Sequence, residues 1–133
     1  MDIDQLKALV RDVPDFPQDG VVFKDITPLL ANEIAFSTVI DLIVVHFGRG
    51  NVDKVVGIEA RGFIIASPVA YHFGAGFVPV RKKDKLPWHT EGAEYALHDV
   101  GGKVVGVACL IELAFLKGRS RLEGYDLFTL LSY

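Results

Sequence analysis

Apolar residues recur along this chain in two rhythms, three- and four-residue steps in some stretches and unbroken runs in others. Between residues 33 and 47, Phe36, Val39, Ile40, Ile43, Val44 and Phe47 return at helical intervals, which predicts an amphipathic helix stopped by Gly48. A shorter helix is expected over 2–10, with Ile3, Leu6 and Val10 on one face. Pro14, Pro17 and Gly20 interrupt "RDVPDFPQDGVVFKDITP", so no regular structure is expected before about Val21. "KVVGI" (54–58) reads as a buried strand, and "GFIIASPVAYHF" (62–73) as a helix with a kink at Pro68 that ends at Gly74. "FVPVR" (77–81) completes a strand–helix–strand unit, which implies parallel pairing. "KVVGVACLIEL" (103–113) and "YDLFTLLSY" (125–133) supply two further apolar strands. Unbroken apolar strands are covered on both faces, so an α/β fold with helices flanking a parallel sheet is expected.

One stretch departs from that plan. Parallel neighbours need a long crossover, usually helical. Yet "KKDKLPWHTEGAEYALHDVGG", between strands 77–81 and 103–113, is polar, carries Pro87 and has no helical period. It reads as a flap over about 82–100.

Composition sharpens the picture. The 133 residues suit one domain, half of them are hydrophobic and the mean hydropathy is +0.32, so the chain is globular. A net charge of −3 argues against nucleic acid and anionic membrane as partners. "VIDLIVVHF" is broken by Asp41 and is too short to span a bilayer. Met1 is followed by "DIDQLK", without the basic and apolar segments of a secretory signal, and Cys109 is alone in an apolar run. These features favour a core thiol and a cytoplasmic setting.

Candidate chemistry sits where the first buried strand stops. In "KVVGIEARGF", Arg61, Gly62 and Phe63 would open a helix whose free amides and dipole favour an anion, while Gly62 lets a ligand approach the backbone. Two readings stand: Glu59 and Arg61 are solvated residues of a turn, or Arg61 presents its donor fork to phosphate oxygens. The run "RKKDK" (81–85) is equally either a solvated loop or a flap base that neutralises a polyanion. No GxxxxGK[ST], GxGxxG, GxSxG or Cys/His ligand spacing is present. His46 and His72 close predicted helices, which favours structural roles. Phe23 follows a Pro/Gly loop and could stack on a flat ligand.

Four segments in this order, "VPDFPQDGVVFKDITPLL", "VVGIEARGFIIASPVA", "VPVRKKDKLP" and "VVGVACLIELAFLKGRSRLEGYDLFTLLSY", resemble the adenine phosphoribosyltransferase family, over nearly the whole chain. The resemblance implies a type I phosphoribosyltransferase core of one domain, 1–133. Residues 1–35 would form the base-binding segment and 82–100 the flap. It implies transfer of the phosphoribosyl group of phosphoribosyl pyrophosphate to adenine with Mg²⁺, giving AMP and pyrophosphate, in a cytoplasmic homodimer. Val22, Phe23 and Lys24 match the adenine segment, with backbone hydrogen bonds and apolar packing. Ala60, Arg61 and Gly62 match the pyrophosphate loop, with a cis bond at Glu59–Ala60, and Arg81 and Lys85 match the base of the flap. The flap glutamate of the family falls at His98, so no catalytic acid transfers.

The resemblance also breaks. The family carries a central strand ending in two adjacent acidic residues, followed by a loop that cradles the ribose 5-phosphate. No two acidic residues are adjacent in this sequence, and several dozen residues are missing between about Leu97 and Gly101. Loss of that strand exposes a ladder edge in mid-sheet, and weak binding of phosphoribosyl pyrophosphate is expected. A non-catalytic purine-nucleotide module, or an inactive deletion form of the enzyme, is the alternative function.

Overall fold

The computed structural model describes residues 1–81 and 102–133. The expected flap, with Lys85 and His98, lies outside the described residues. An α/β architecture is present. In chain order the elements are α1 (Ile3–Ala8), β1 (Arg11–Val13), β2 (Phe23–Asp25), α2 (Thr27–Ala31), α3 (Glu33–Phe47), β3 (Lys54–Ile58), α4 (Arg61–Phe73), β4 (Gly76–Val80), β5 (Val107–Glu112) and β6 (Leu127–Ser132). Two short 3₁₀ turns, Ala114–Leu116 and Gly118–Leu122, join β5 to β6.

Local chemistry explains the helix boundaries. Asp2 accepts from the Gln5 amide while the Gln5 side chain accepts from the Asp2 amide, a reciprocal cap that starts α1. That helix buries Leu6 alone and leaves Ile3 exposed, so the expected three-residue face is narrower than its spacing suggests. Asn32 caps α3 by accepting from the Ala35 amide at 2.9 Å. The inward face of α3 is Ala35, Val39, Ile40, Ile43 and Val44, and these pack with Leu6, Leu29, Val69, Leu130 and Leu131 into one core. Helix α4 runs through Pro68 and stops at Gly74, which takes a left-handed conformation with φ 68°.

The sheet is parallel in its two larger parts. Strands β3 and β4 pair in parallel with Lys54 opposite Gly76 and Ile58 opposite Val80, and α4 connects them. Strands β5 and β6 pair in parallel from Val107–Leu127 to Glu112–Ser132. Among the described residues, however, β3 does not bond to β5, and each sheet has two strands. This split agrees with the expected loss of a central strand. Strand β5 also begins four residues later than the apolar run predicts. The Val107 amide donates to the Asp126 carbonyl, whereas Lys103–Gly106 have no strand beside them among the described residues.

Two elements escaped the sequence reading. An antiparallel ladder pairs β1 with β2, although no regular structure is expected before Val21. The Pro/Gly residues constrain only the connecting loop. Its flanks are zipped by directly opposed charges, Arg11 with Asp25 at 2.7 Å and Asp12 with Lys24 at 2.6 Å. The second is α2, too short at five residues to show a period.

Gly57 sets the distance between β3 and α4. A Cβ there would stand 2.7 Å from a Phe77 ring carbon and 3.0 Å from the Ala66 Cβ. Gly57→Ala should therefore cost about 1–3 kcal/mol of stability by overpacking. A lower urea midpoint at unchanged slope is the expected reading, and an unchanged midpoint would show that the sheet and helix can part freely.

Candidate functional site

The end of β3, the start of α4 and the first residues of β2 converge on one cavity of about 730 Å³, lined among others by Val22, Phe23, Lys24, Ile58, Arg61 and Gly62. That volume is within the range of small-molecule sites, roughly 300–1,000 Å³. Two groups of predicted site residues, 22–24 and 61–62, thus share a wall although about forty residues separate them in sequence.

At the strand–helix turn the Glu59–Ala60 peptide is cis, as the resemblance implies. The Glu59 amide donates to the Val80 carbonyl at 2.9 Å, which ties the turn to the end of β4. Ala60 caps α4 without a side-chain hydrogen bond, and the Phe63 amide folds back on the Ala60 carbonyl at 3.1 Å. The Arg61 and Gly62 amides take no partner among the described residues. A pair of free amides at a helix start, beside a guanidinium, is suited to bind an anion.

Glu59 and Arg61 are not a pair. The Glu59 carboxylate, only 9% exposed, accepts from the Arg81 guanidinium at 3.3 Å, so Arg81 braces the turn from β4. Arg61 instead lies over the Phe23 ring, its guanidinium carbon 5.1 Å from the ring centre. Phe16 meets the same ring edge-on at 5.3 Å. The Glu59–Arg81 pairing was missed because the residues lie on different strands; opposite charges at the ends of two parallel strands are the signal that could have found it.

Lys24 points away from chemistry. Its ammonium is held by Asp12 and lies 4.2 Å from the centre of the Tyr133 ring. What β2 offers the cavity is therefore its backbone and the Phe23 ring. β2 itself is pinned by Asp25, whose Oδ1 accepts from the Thr27 hydroxyl at 2.6 Å and the Thr27 amide at 2.9 Å, while Oδ2 accepts from Arg11. Those bonds, the Thr27 hydroxyl first, hold the Asp25 pKa down at about 2.

A pKa lowered in the fold means stability that is complete above the ordinary carboxylate value, about 3.9, and lost as pH falls toward 2. Melts of the parent should lose stability over that window more steeply than melts of Asp25→Asn. Parallel acid limbs would show that Asp25 pins nothing.

The remaining candidates are structural. His46 is within 3.1 Å of the Asp126 carboxylate and stacks on Phe128, at the far end of α3. Cys109 is half-buried, and burial raises its thiol pKa, in keeping with an inert core thiol. No helix among the described residues is long and apolar enough to cross a membrane.

No family model matches the chain. It is 48% identical to the adenine phosphoribosyltransferase of Acidothermus cellulolyticus, over 91% of this chain and 92% of that one. It is 41% identical to that of Thermotoga maritima, over 96% and 97%. In structure it resembles the adenine phosphoribosyltransferase of Rhodothermus marinus, with a TM-score of 0.89, 36% identity and 98% of both chains covered. The Saccharomyces cerevisiae enzyme, solved with an imino-altritol bisphosphate and adenine, superposes with a TM-score of 0.87 at 29% identity, over 97% and 98%. The Acidothermus alignment runs over 162 positions but uses 91% of 133 residues, about 121, so about 40 positions face no residue here.

Proposed function

The chain belongs to the adenine phosphoribosyltransferase family, and from that premise we propose that it joins adenine to the ribose of phosphoribosyl pyrophosphate, giving AMP and pyrophosphate. The observation that carries the reading is the placement of Arg61 over Phe23, which sets an anion grip beside an aromatic platform in one cavity.

Each residue then has a physical task. The backbone of Val22, Phe23 and Lys24 takes the edge of adenine; β2 is paired with β1 alone among the described residues, which leaves main-chain donors and acceptors on its other side. The Phe23 ring supplies the stacking face. The Ala60–Gly62 turn grips the diphosphate, and the Arg61 fork with the α4 dipole stabilises the negative charge that grows as pyrophosphate departs. Arg81 holds Glu59 and so the aim of that turn, and the resemblance assigns Arg81 and Lys85 to the base of a flap whose closure would exclude water from the cationic sugar.

Mg²⁺ is proposed on family grounds as a companion of the substrate, since it commonly binds through substrate phosphates while keeping several waters. Bound there, it would neutralise diphosphate charge. A cytoplasmic homodimer is proposed on family grounds, and sedimentation reads the assembly.

A coupled assay with adenine, phosphoribosyl pyrophosphate and Mg²⁺ tests the reading. AMP formation above background is expected, with a high KM for phosphoribosyl pyrophosphate because the sequence has no adjacent acidic pair and about 40 family positions are absent. Calorimetry should find the same weakness in binding. Phe23→Ala should raise the KM for adenine about tenfold, the scale of one stacked base. Absence of AMP at saturating substrates, with no effect of adenine on the melt, would overturn the proposal. Adenine stabilising the melt without turnover would select the non-catalytic module.

A further inference from the structure

Strand β2 is held by a cation and a ring on each of its faces. On the cavity side the Arg61 guanidinium lies over Phe23. Side chains alternate along a strand, and on the other side the Lys24 ammonium lies 4.2 Å from the centre of the Tyr133 ring. Lys7 of α1 places a second ammonium 5.5 Å from that centre, while Asp12 of β1 bonds Lys24 at 2.6 Å. One ring just past the end of β6 thus gathers α1, β1 and β2. Its own backbone is fixed: the Tyr133 amide donates to the Glu112 carbonyl at 3.0 Å, and the Tyr133 carbonyl accepts from the Ala114 amide at 2.9 Å. The hydroxyl takes no part in this. It is buried and has no hydrogen-bond partner among the described residues.

Strand β2 depends on such ties. Among the described residues it pairs with β1 alone, and the ion pairs and side-chain hydrogen bonds of the two strands stay within residues 11–27. Those bonds shape the hairpin without fixing where it stands on the sheet. Ile26 and Leu29 are buried, but they anchor the chain that follows the strand. We propose that Tyr133 is a positioning residue for the base: through Lys24, its ring sets the depth at which the β2 backbone and Phe23 stand in the cavity. The inference rests on the transferase reading, in which β2 takes the edge of adenine, and adds to it a residue outside the cavity lining.

The test measures kcat and both KM values on the full chain. Tyr133→Leu keeps apolar volume without a ring face. It should raise the KM for adenine about tenfold, the scale of a desolvated cation–π contact, and leave kcat and the KM for phosphoribosyl pyrophosphate little changed. Tyr133→Phe keeps a ring that accepts cations and should stay within about twofold of the parent. Lys24→Met should raise the adenine KM by itself yet add little to Tyr133→Leu, because residues acting as one unit are non-additive. It carries the same comparison if the leucine variant does not fold. Calorimetric Kd values for adenine should follow the same order. A leucine variant with the parent's adenine kinetics would overturn the proposal. So would equal rises in both KM values, the mark of a merely structural part, or a phenylalanine variant as impaired as leucine. A parent that neither forms AMP nor gains thermal stability from adenine would sink the transferase reading and this inference with it, an outcome distinct from a responsive parent matched by its leucine variant.

Discussion

Arg61→Ala is expected to lower kcat/KM for AMP formation by about 10²–10³, the effect typical of losing one preorganised donor to a developing anion. Arg61 stands at the first position of α4, beside free amides and on the wall of the cavity. Its contact within the described residues is the face of Phe23, which leaves the fork free to turn toward phosphate oxygens. Stability should hardly change. A cation at a helix N-terminus opposes the dipole, so its removal relieves a small repulsion and offsets the lost ring contact. Arg61→Lys keeps the charge without the planar fork and should recover only part of the loss. Alanine within threefold of the parent, under conditions where the parent turns over, would remove Arg61 from the site.

Much of this arrangement was legible in the sequence because it lies in single stretches. The apolar period of residues 33–47 gives α3 almost to the residue, because Gly48 is a strong end signal. "KVVGI", "FVPVR" and the helix between them give the β3–α4–β4 unit, since continuous apolar strands around an amphipathic helix have few other solutions. The turn at Ala60–Gly62 is likewise local. What the sequence did not disclose depends on partners distant along the chain. β1 exists because Arg11 and Asp12 meet Asp25 and Lys24, a pairing invisible from either end alone. Glu59 finds Arg81 only once two strands run side by side, and Arg61 finds Phe23 only once β2 is laid across the turn. The reverse case is the split sheet. The absence of an acidic pair is a local observation, and the lack of any pairing between β3 and β5 among the described residues accords with it.

Gly62→Ala separates a glycine kept for folding from one kept for a ligand. Gly62 has no left-handed φ, and a Cβ there would meet the Gly57 carbonyl carbon at 3.8 Å and the Ile58 Cβ at 3.9 Å, ordinary contacts. The fold alone therefore has no need of glycine at this position, unlike Gly57. In the first turn of α4 alanine should even stabilise, by about 0.4–1 kcal/mol, through the lower entropy of the unfolded chain. Binding should move the other way. The new methyl group would stand on the cavity wall beside the Arg61 and Gly62 amides, where diphosphate oxygens must come within hydrogen-bond reach. A displacement of about 1 Å there can cost 10²-fold, so kcat/KM for phosphoribosyl pyrophosphate should fall by that order while the KM for adenine changes little. A raised melting temperature with weakened phosphoribosyl pyrophosphate kinetics is the expected combination. Unchanged kinetics in a stabilised variant would mean that no ligand approaches this turn, and the diphosphate would have to be gripped elsewhere.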